Sequence, residues 1–502
     1  IAQCLVGSEM CIRDRYNTIL PERRSARRRP NYFCYEVAVS MEKVKKKGQG
    51  YQIDMIHGPL AGKLLVFAIP LMLSSILQLL FNAADVIVVG RWSGKEALAA
   101  VGSNTSLINL MVNLFVGFSV GTNVVVARDL GAGREEDVRD SVHTSIALSL
   151  VSGVVLMGLG LLLSRQMLEL MGSPEDVIGL AAVYLRIYFC GMPGNMLYNF
   201  GAAILRAQGD TKRPLYFLTA AGIINVILNL VFVIVFHMDV AGVALATIIS
   251  QYVSAILVLL TLMRDKGPLR VDLRALRLDM KVVRRILQVG LPAGFQGMVF
   301  SISNVVIQSS INSFGSTVVA GSAASSNIEG FVYAGMNAFY QTALTFTSQN
   351  YGACECKRVD RIMGLCLLYS GLIGLVLGNL AYLFGYPLGS IYAPGQEEVI
   401  AQAVDRLSIC CTTYFLCGLM DTQVGVLRGI GYSVVPMIVS LVGSCALRLL
   451  WVATIFQLNR TPEMLYLSYP VSWAITAATH FVFFLFIRKR AYAKAVGVHA
   501  IN

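Results

Sequence analysis

Charged residues are scarce in this sequence, and histidine is scarcer still. Only 14% of the 502 residues are Asp, Glu, Lys or Arg, whereas 56% are hydrophobic. Soluble domains carry about 25% charged and about 45–50% apolar residues. A globular core cannot hold this apolar excess. A bilayer can, because a spanning helix needs about 20 apolar residues and satisfies its own backbone hydrogen bonds. The composition therefore predicts an integral membrane protein and excludes a soluble fold.

The residue patterns of common enzymes and metal sites are also missing. The five histidines form no HxxxH pair, and the eleven cysteines show no zinc-type spacing. The segment GAGRE at 131–135 lacks the Gly-Lys-Ser/Thr ending of a phosphate-binding loop. The net charge of +12 comes from scattered basic residues, so we expect no nucleic-acid partner. We predict a protein that is not an enzyme and that needs no cofactor.

Long apolar segments are what the sequence has in abundance. Twelve of them follow one another, each long enough to cross about 30 Å of hydrocarbon. We therefore predict an all-α membrane protein of twelve transmembrane helices. The predicted spans are 64–89, 97–127, 139–163, 177–205, 214–236, 240–263, 286–311, 318–348, 362–385, 399–427, 434–456 and 466–487.

Lys and Arg are concentrated in alternate connections between these segments, most densely at 264–285. Because basic connections stay in the cytoplasm, we predict a multi-pass protein of the plasma membrane with both termini cytoplasmic. Residues 1–40 differ from the rest, since they are rich in arginine and hold no run long enough to span. We interpret them as a tail, or as translated upstream sequence.

The second half of the chain repeats the first. ILRAQGDTKRPL at 204–215 matches VLRGIGYSVVPM at 426–437, so that Arg206 corresponds to Arg428. The same offset pairs Pro70 with Pro292, and RDLGAG at 128–133 matches QNYGAC at 349–354 at nearly the same offset. Each half holds six spans, so the two halves enter the membrane from the same side and form parallel lobes around a central cavity.

The repeat also predicts the domain boundaries. The loop that separates the two sets of six spans becomes the inter-lobe linker. We predict a tail at 1–40, an amino-terminal lobe at 41–263, a basic cytoplasmic linker at 264–285, a carboxy-terminal lobe at 286–490 and a cytoplasmic tail at 491–502.

Polar residues near the outer ends of three spans are the main candidates for function. An ionisable group in hydrocarbon is costly unless it faces a cavity or a partner, and Asp85 lies in the first span. Asn225 and Asn229 share one face of the fifth span, and Thr247 lies at a comparable depth in the sixth. One carboxylate among amide and hydroxyl oxygens suits a small hard cation or a shared proton. The alternative is hydrogen bonding that only holds helices together.

Other polar residues within the spans are weaker candidates for a substrate cavity. Glu329 and Asp421 have a second interpretation, as members of ion pairs that lock helices together. Arg448 has two potential acidic partners, and the sequence does not choose between them. The cavity candidates are Gln78, Asn82, Glu329, Asp421 and Asn304.

The order and spacing of several segments resemble the multidrug and toxic compound extrusion (MATE) family, within the multidrug/oligosaccharidyl-lipid/polysaccharide flippase superfamily. The resemblance runs from about Met41 to about Arg490. It rests on AIPLMLSSILQLLFNAADVIVVG, on the paired LRAQGDTKRP and LRGIGYSVVP, and on QNYGA. It implies export driven by inward flow of Na⁺ or H⁺, with two lobes that rock between outward and inward openings.

The resemblance also implies a cation site in the amino-terminal lobe. Its members would be Asp85, Asn225 and Thr247, with Asn199 as the residue from the fourth span. Asn229 stands where many members have a second aspartate, which removes one negative charge available to Na⁺. The resemblance therefore leaves both Na⁺ and H⁺ open as the coupling ion at Asp85.

The function predicted from these features is antiport: export of amphipathic, cationic compounds in exchange for H⁺ or Na⁺. Acidic groups attract such substrates, and surfaces rich in Met and aromatic residues tolerate varied shapes. The alternative is a flippase of lipid-linked sugars from the same superfamily. The sequence contains no selectivity-filter motif of the kind that a channel would need. We expect small organic molecules and the lipid bilayer as partners, and a protein that functions as a monomer.

Overall fold

The computed structural model describes residues 51–92, 94–170 and 175–501. The predicted tail at 1–40 lies outside these residues. Helices dominate the described chain, and they divide into two lobes that share the same order of elements.

The amino-terminal lobe contains six membrane-crossing segments. The fourth, predicted as one span at 177–205, is interrupted at Gly191, where Pro193 opens the next helix without a backbone N–H to donate. The helices are α1 (Leu60–Trp92), α2 (Gly94–Gly131), α3 (Glu135–Leu170), α4 (Glu175–Cys190), α5 (Met192–Ala207), α6 (Lys212–Leu230) with the π-helical turn Val231–Val235, and α7 (Asp239–Met263).

The carboxy-terminal lobe repeats this order with more interruptions. Its helices are α8 (Met280–Asn312), α9 (Ser316–Gly352), α10 (Cys356–Leu383), α11 (Gly385–Tyr392), α12 (Glu397–Cys410), α13 (Phe415–Gly429), α14 (Val434–Ser440) with the π-helical turn Leu441–Ala446, α15 (Leu447–Ala453), α16 (Ile455–Leu458), α17 (Pro462–Tyr466) and α18 (Ser468–Ile501).

Together these helices supply twelve membrane-crossing segments. Within the described ranges, nine segments are long and apolar enough to span a membrane, and α12 with α13 forms a tenth that bends by 50°. The helix α9 is less apolar because Ser, Thr, Asn and Gln recur along it, but its 37 residues are ample for a crossing. The broken pair α4 and α5 supplies the twelfth.

Two predicted domain boundaries fall inside helices. The helix α8 starts at Met280, inside the predicted linker at 264–285, because Asp279 caps it by accepting the N–H of Lys281 at 2.8 Å. The helix α18 runs to Ile501, through the segment predicted as a tail at 491–502.

The two lobes meet along α2 and α8 and, at the equivalent position of the repeat, along α1 and α9. Glycine lets the backbones approach: a methyl group at Gly117 would lie 2.4 Å from Cα of Gly294. Oγ1 of Thr345 lies 3.0 Å from Oδ1 of Asn123, and these two positions are equivalent in the repeat to within one residue. Equivalent residues therefore face each other, which places the pseudo-twofold axis between α2 and α9.

We call the basic end the end of the helix bundle that carries Arg128, Lys212, Arg285, Lys357 and Arg428. The lobes are in close contact here, where a methyl group at Gly131 would lie 1.9 Å from the carbonyl oxygen of Gln349, and the contact stays close as far as Gly117. Farther along, a methyl group at Gly297 would lie 3.6 Å from Asn113. The lobe contact is thus tight at the basic end and loosens away from it.

Residues 51–58 form a strap that crosses the basic end. The N–H of Ile53 donates to the carbonyl of Gly209 in the amino-terminal lobe at 3.3 Å. The carbonyl of Met55 accepts from Asn350 at 3.1 Å and from Arg358 at 3.2 Å, both in the carboxy-terminal lobe. The strap therefore contacts both lobes.

Candidate functional site

A cavity of about 270 Å³ opens inside the amino-terminal lobe, between α1 and the helices α4 to α7. We call it the N-lobe cavity. Asp85 is the one charged residue among the described residues that line it. The predicted residues on its wall are Gln78, Asn82, Asp85, Asn199, Asn225 and Thr247.

A chain of hydrogen bonds connects the predicted cation-site residues. Nδ2 of Asn229 donates to the carboxylate of Asp85 and lies 3.3 Å from Oδ1 of Asn225. Nδ2 of Asn225 donates to Oγ1 of Thr247 at 3.4 Å, and that hydroxyl donates to the carbonyl of Val243 at 2.9 Å. These hydrogen bonds run from α1 through α6 to α7, so the structure brings the four side chains together.

One side-chain oxygen among these hydrogen-bonded residues has no partner. Oδ1 of Asn229 is buried and finds no hydrogen-bond partner among the described residues. Buried polar atoms in folded proteins are nearly always paired, so such an atom marks a place that another donor or a cation would complete. Asn229 itself is fully buried behind the cavity wall and reaches the carboxylate of Asp85 through its Nδ2.

Asn199 lines the same cavity but does not join the hydrogen-bond chain. Its Nδ2 donates instead to the carbonyl and side chain of Asn195, one turn earlier on α5, at 2.9 Å each. Its contribution to the site is therefore to the wall of the cavity, at some distance from the carboxylate.

Aromatic residues that the sequence patterns did not single out line the cavity beside Asp85. The rings of Tyr184 and Tyr188 stack with centroids 6.0 Å apart, and Phe81 and Tyr198 contribute further wall. The signal was present, since Tyr184 and Tyr188 are four residues apart on one face of α4. It was hidden because the same spacing describes an ordinary packed helix.

A second cavity, of about 200 Å³, lies between the lobes, with walls from α2, α8, α9 and α13. We call it the central cavity. It contains Asp421, whose carboxylate accepts from Tyr333 at 3.2 Å. Arg428 lies on the same wall and donates to Tyr340 at 2.6 Å and to Gln296 at 2.8 Å. The cavity thus presents one acid and one base together with amide and phenol groups.

Glu329 lines neither of these cavities. Its carboxylate accepts from Nε of Arg406 at 2.8 Å and from Nη2 at 3.1 Å, and both side chains are buried. Ser325 adds a further hydrogen bond at 3.0 Å. Of the two interpretations left open, the structure favours the helix-locking ion pair, here between α9 and α12.

We expect Glu329→Gln to destabilise the fold rather than to change substrate recognition. Removing one partner leaves a buried charge uncompensated, which costs about 3–5 kcal/mol. Thermal unfolding in detergent should show a clearly lower midpoint. The exposed Glu398→Gln, on the neighbouring helix α12, should leave the midpoint unchanged. An unaltered midpoint with altered substrate range would contradict the locking role.

Two further candidates have different surroundings. Asn304 is exposed on α8 and lines neither of the two cavities. Arg448 donates to Ser472 at 2.8 Å and lies over the ring of Tyr469, 4.4 Å from its centroid. The described contacts of Arg448 are therefore with a hydroxyl and an aromatic ring rather than with either acid.

Twelve crossing segments, two pseudo-symmetric lobes and cavities within and between them define a membrane transporter. The MatE family model matches the chain twice, at residues 70–231 and 292–453, which correspond to the two halves of the repeat. The chain belongs to the MatE family. The repeat found in the sequence and the all-α, two-lobe fold are thereby confirmed.

Known proteins agree with this assignment. The chain is 28% identical to the "Probable multidrug resistance protein YoeA" of Bacillus subtilis, over 85% of this chain and 93% of that protein. It is 24% identical to the "FAD transporter" of Shewanella oneidensis, over 68% and 76% of the two chains. Among solved structures, an outward-facing MATE family transporter superposes with a TM-score of 0.81 at 22% identity, covering 87% of this chain and 98% of that chain.

Proposed function

We propose that this protein is a secondary active antiporter that exports amphipathic, cationic compounds in exchange for H⁺ or Na⁺. The observation that carries the proposal is the lone carboxylate of Asp85 in the N-lobe cavity, hydrogen-bonded to Asn229. A single negative charge in a membrane-embedded cavity accepts either a small cation or a proton, and its loading changes the charge of the cavity.

The composition of the N-lobe cavity supports exchange between a coupling ion and an organic cation. The carboxylate of Asp85, the side-chain oxygen of Asn225 and the hydroxyl of Thr247 lie on the cavity wall and offer oxygen ligands to a small cation. The stacked rings of Tyr184 and Tyr188 offer the faces that attract an organic cation. Both ligands would draw on Asp85, so the entry of one would favour the release of the other.

The distribution of basic residues supports an orientation of the chain in the membrane. Basic connections are retained in the cytoplasm, and we therefore place the basic end on that side of the plasma membrane. The lobes are tightly packed at this end, so the conformation described here would be open toward the outside.

A second candidate function is export of an anionic compound, and Arg428 is the observation in its favour. Its guanidinium lies in the central cavity beside Gln296 and Tyr340. Arginine is the side chain best suited to hold phosphate groups. The likeness to a protein named as an FAD transporter points to the same class of substrate.

Transport into inside-out vesicles tests these proposals. With the purified protein reconstituted, an imposed proton or sodium gradient should drive uptake of a fluorescent organic cation, and one of the two ions should suffice alone. Stimulation by neither ion would overturn the antiport proposal. Uptake of FAD with no uptake of any organic cation would replace the first substrate class by the second.

A further inference from the structure

Two repeated motifs of the sequence, RDLGAG with QNYGAC and LRAQG with LRGIG, meet at the basic end. Nη2 of Arg128 donates to the carbonyl of Gly429 at 3.3 Å, from the amino-terminal lobe to the carboxy-terminal lobe. Nε2 of Gln349 donates to the carbonyl of Ala207 at 3.1 Å, in the opposite direction. The donors Arg128 and Gln349 are the first residues of RDLGAG and QNYGAC. The acceptors Ala207 and Gly429 are the third residues of LRAQG and LRGIG. The two bonds are therefore equivalent under the repeat.

The acceptors in these bonds are well suited to a contact that crosses lobes. Ala207 is the last residue of α5 and Gly429 the last residue of α13. The final carbonyls of a helix lack an intrahelical donor and carry the negative end of the helix dipole. Each lobe therefore presents a helix end that needs a donor, and the other lobe supplies it.

The glycines of the LRAQG and LRGIG motifs make room for this arrangement. Gly209 and Gly431 have φ of +97° and +95°, left-handed backbone that a residue with a Cβ adopts only with strain. A methyl group at Gly431 would lie 2.7 Å from Nη2 of Arg128. The guanidinium is also held over the ring of Tyr351, 4.9 Å from its centroid. The guanidinium of Arg128 is thus enclosed by Gly431 on one side and by Tyr351 on the other.

Backbone contacts accompany the two side-chain bonds. A methyl group at Gly352 would lie 2.2 Å from the carbonyl oxygen of Arg128, and the equivalent Gly131 faces the carbonyl of Gln349. Beside them, Arg285 of α8 forms an ion pair with the buried Asp129 of α2. The donors of the two bonds therefore lie where the lobes are tightly packed, and no large movement of the lobes leaves the bonds intact.

We propose that Arg128 and Gln349 form a reciprocal clasp, defined by their bonds to the carbonyls of Gly429 and Ala207, that closes the basic end and must open once in every transport cycle. This inference rests on the alternation of the two lobes in the proposed function, and it does not depend on the coupling ion or the substrate. The clasp sets the population of the closed state.

Spin-label distances across the basic end test the clasp directly. Labels would be introduced as unnatural amino acids at the exposed Glu136 and Lys357, one in each lobe, because the chain has 11 cysteines. One net hydrogen bond changes an equilibrium by about fivefold. Gln349→Ala should therefore raise the ratio of long to short distances about fivefold in the reconstituted protein.

Matched variants separate the clasp from a general loss of structure. Gln308→Ala removes a hydrogen bond that a side-chain amide donates over the same 3.1 Å, to Asn312 within α8. It should leave the spin-label distances unchanged. Arg128→Gln keeps a donor and should open the basic end less than Arg128→Ala. All variants would be compared at equal elution volume on size exclusion.

The clasp is overturned if Gln349→Ala and Arg128→Ala both retain the wild-type distance distribution. A failure of the antiport proposal would look different: distances would respond to the clasp variants, while the imposed gradients would drive no transport. An equal change of the distances in Gln308→Ala would also count against the clasp, because the Gln308 hydrogen bond lies within α8 and does not connect the lobes.

Discussion

Asp85→Asn is expected to abolish gradient-driven transport while leaving the fold intact. The substitution keeps the shape of the side chain and removes the one charge among the described residues that line the N-lobe cavity. A hydrogen bond to a charged group is worth about 1.5–3 kcal/mol, so Na⁺ should bind about 10- to 150-fold more weakly. A proton would lose its binding group altogether, because the asparagine amide is not protonated near neutral pH. Uptake in vesicles should then be the same with and without the imposed gradient.

The control for this variant is Asp405→Asn, the same chemical change at an exposed position on α12. It should transport like the wild type. Equal unfolding midpoints of the two variants would show that the loss at Asp85 is not a loss of structure. Gradient-dependent uptake that persists in Asp85→Asn would move the coupling site elsewhere, with Asp421 in the central cavity as the next carboxylate to replace.

Gly121→Ala is expected to have the second large effect, on the closure of the lobes. A methyl group here would lie 2.2 Å from the carbonyl oxygen of Ile286 on α8, and a backbone carbonyl cannot swing aside as a long side chain can. Overpacking of this kind costs about 1–3 kcal/mol, which corresponds to about 5- to 150-fold in the equilibrium between closed and open lobes. Transport should fall, and the spin-label distance across the basic end should lengthen.

Gly158→Ala makes the same change in α3, where nothing lies within 4 Å of the added methyl group. This variant should close and transport like the wild type. If both glycine variants behave alike, the effect belongs to helix propensity rather than to the approach of the lobes. A shorter distance in Gly121→Ala would contradict the close contact between α2 and α8.

The fold was predictable because its signals are local and repeated. Length and hydropathy specify each crossing segment, and the constant offset between the halves survives in motifs whose backbone demands are strict, such as the left-handed Gly209 and Gly431. Spacing within one helix was equally informative: Asn225 and Asn229 had to share a face. The interruptions were harder to predict, since the break at Gly191 and the bend between α12 and α13 leave the apolar pattern almost unchanged.

Pairing between distant helices is what the sequence could not provide. Glu329 had several basic residues within reach, and the choice of Arg406 over Arg448 depends on how α9 and α12 are rotated about their axes. The repeat does not help at this point. Its constant offset places Ile307 opposite Asp85 and Arg406 opposite Tyr184, so the two lobes differ at these positions of the N-lobe cavity.

The strap at residues 51–58 joins the two lobes at the basic end, so it responds when they separate. Because it bonds to Gly209 on one side and to Asn350 and Arg358 on the other, separation of the lobes must strip it from at least one of them. An environment-sensitive fluorophore at the partly buried Ile56 should then report each opening by a shift in emission. The strap offers an optical readout of single turnovers that needs neither a labelled substrate nor a known one.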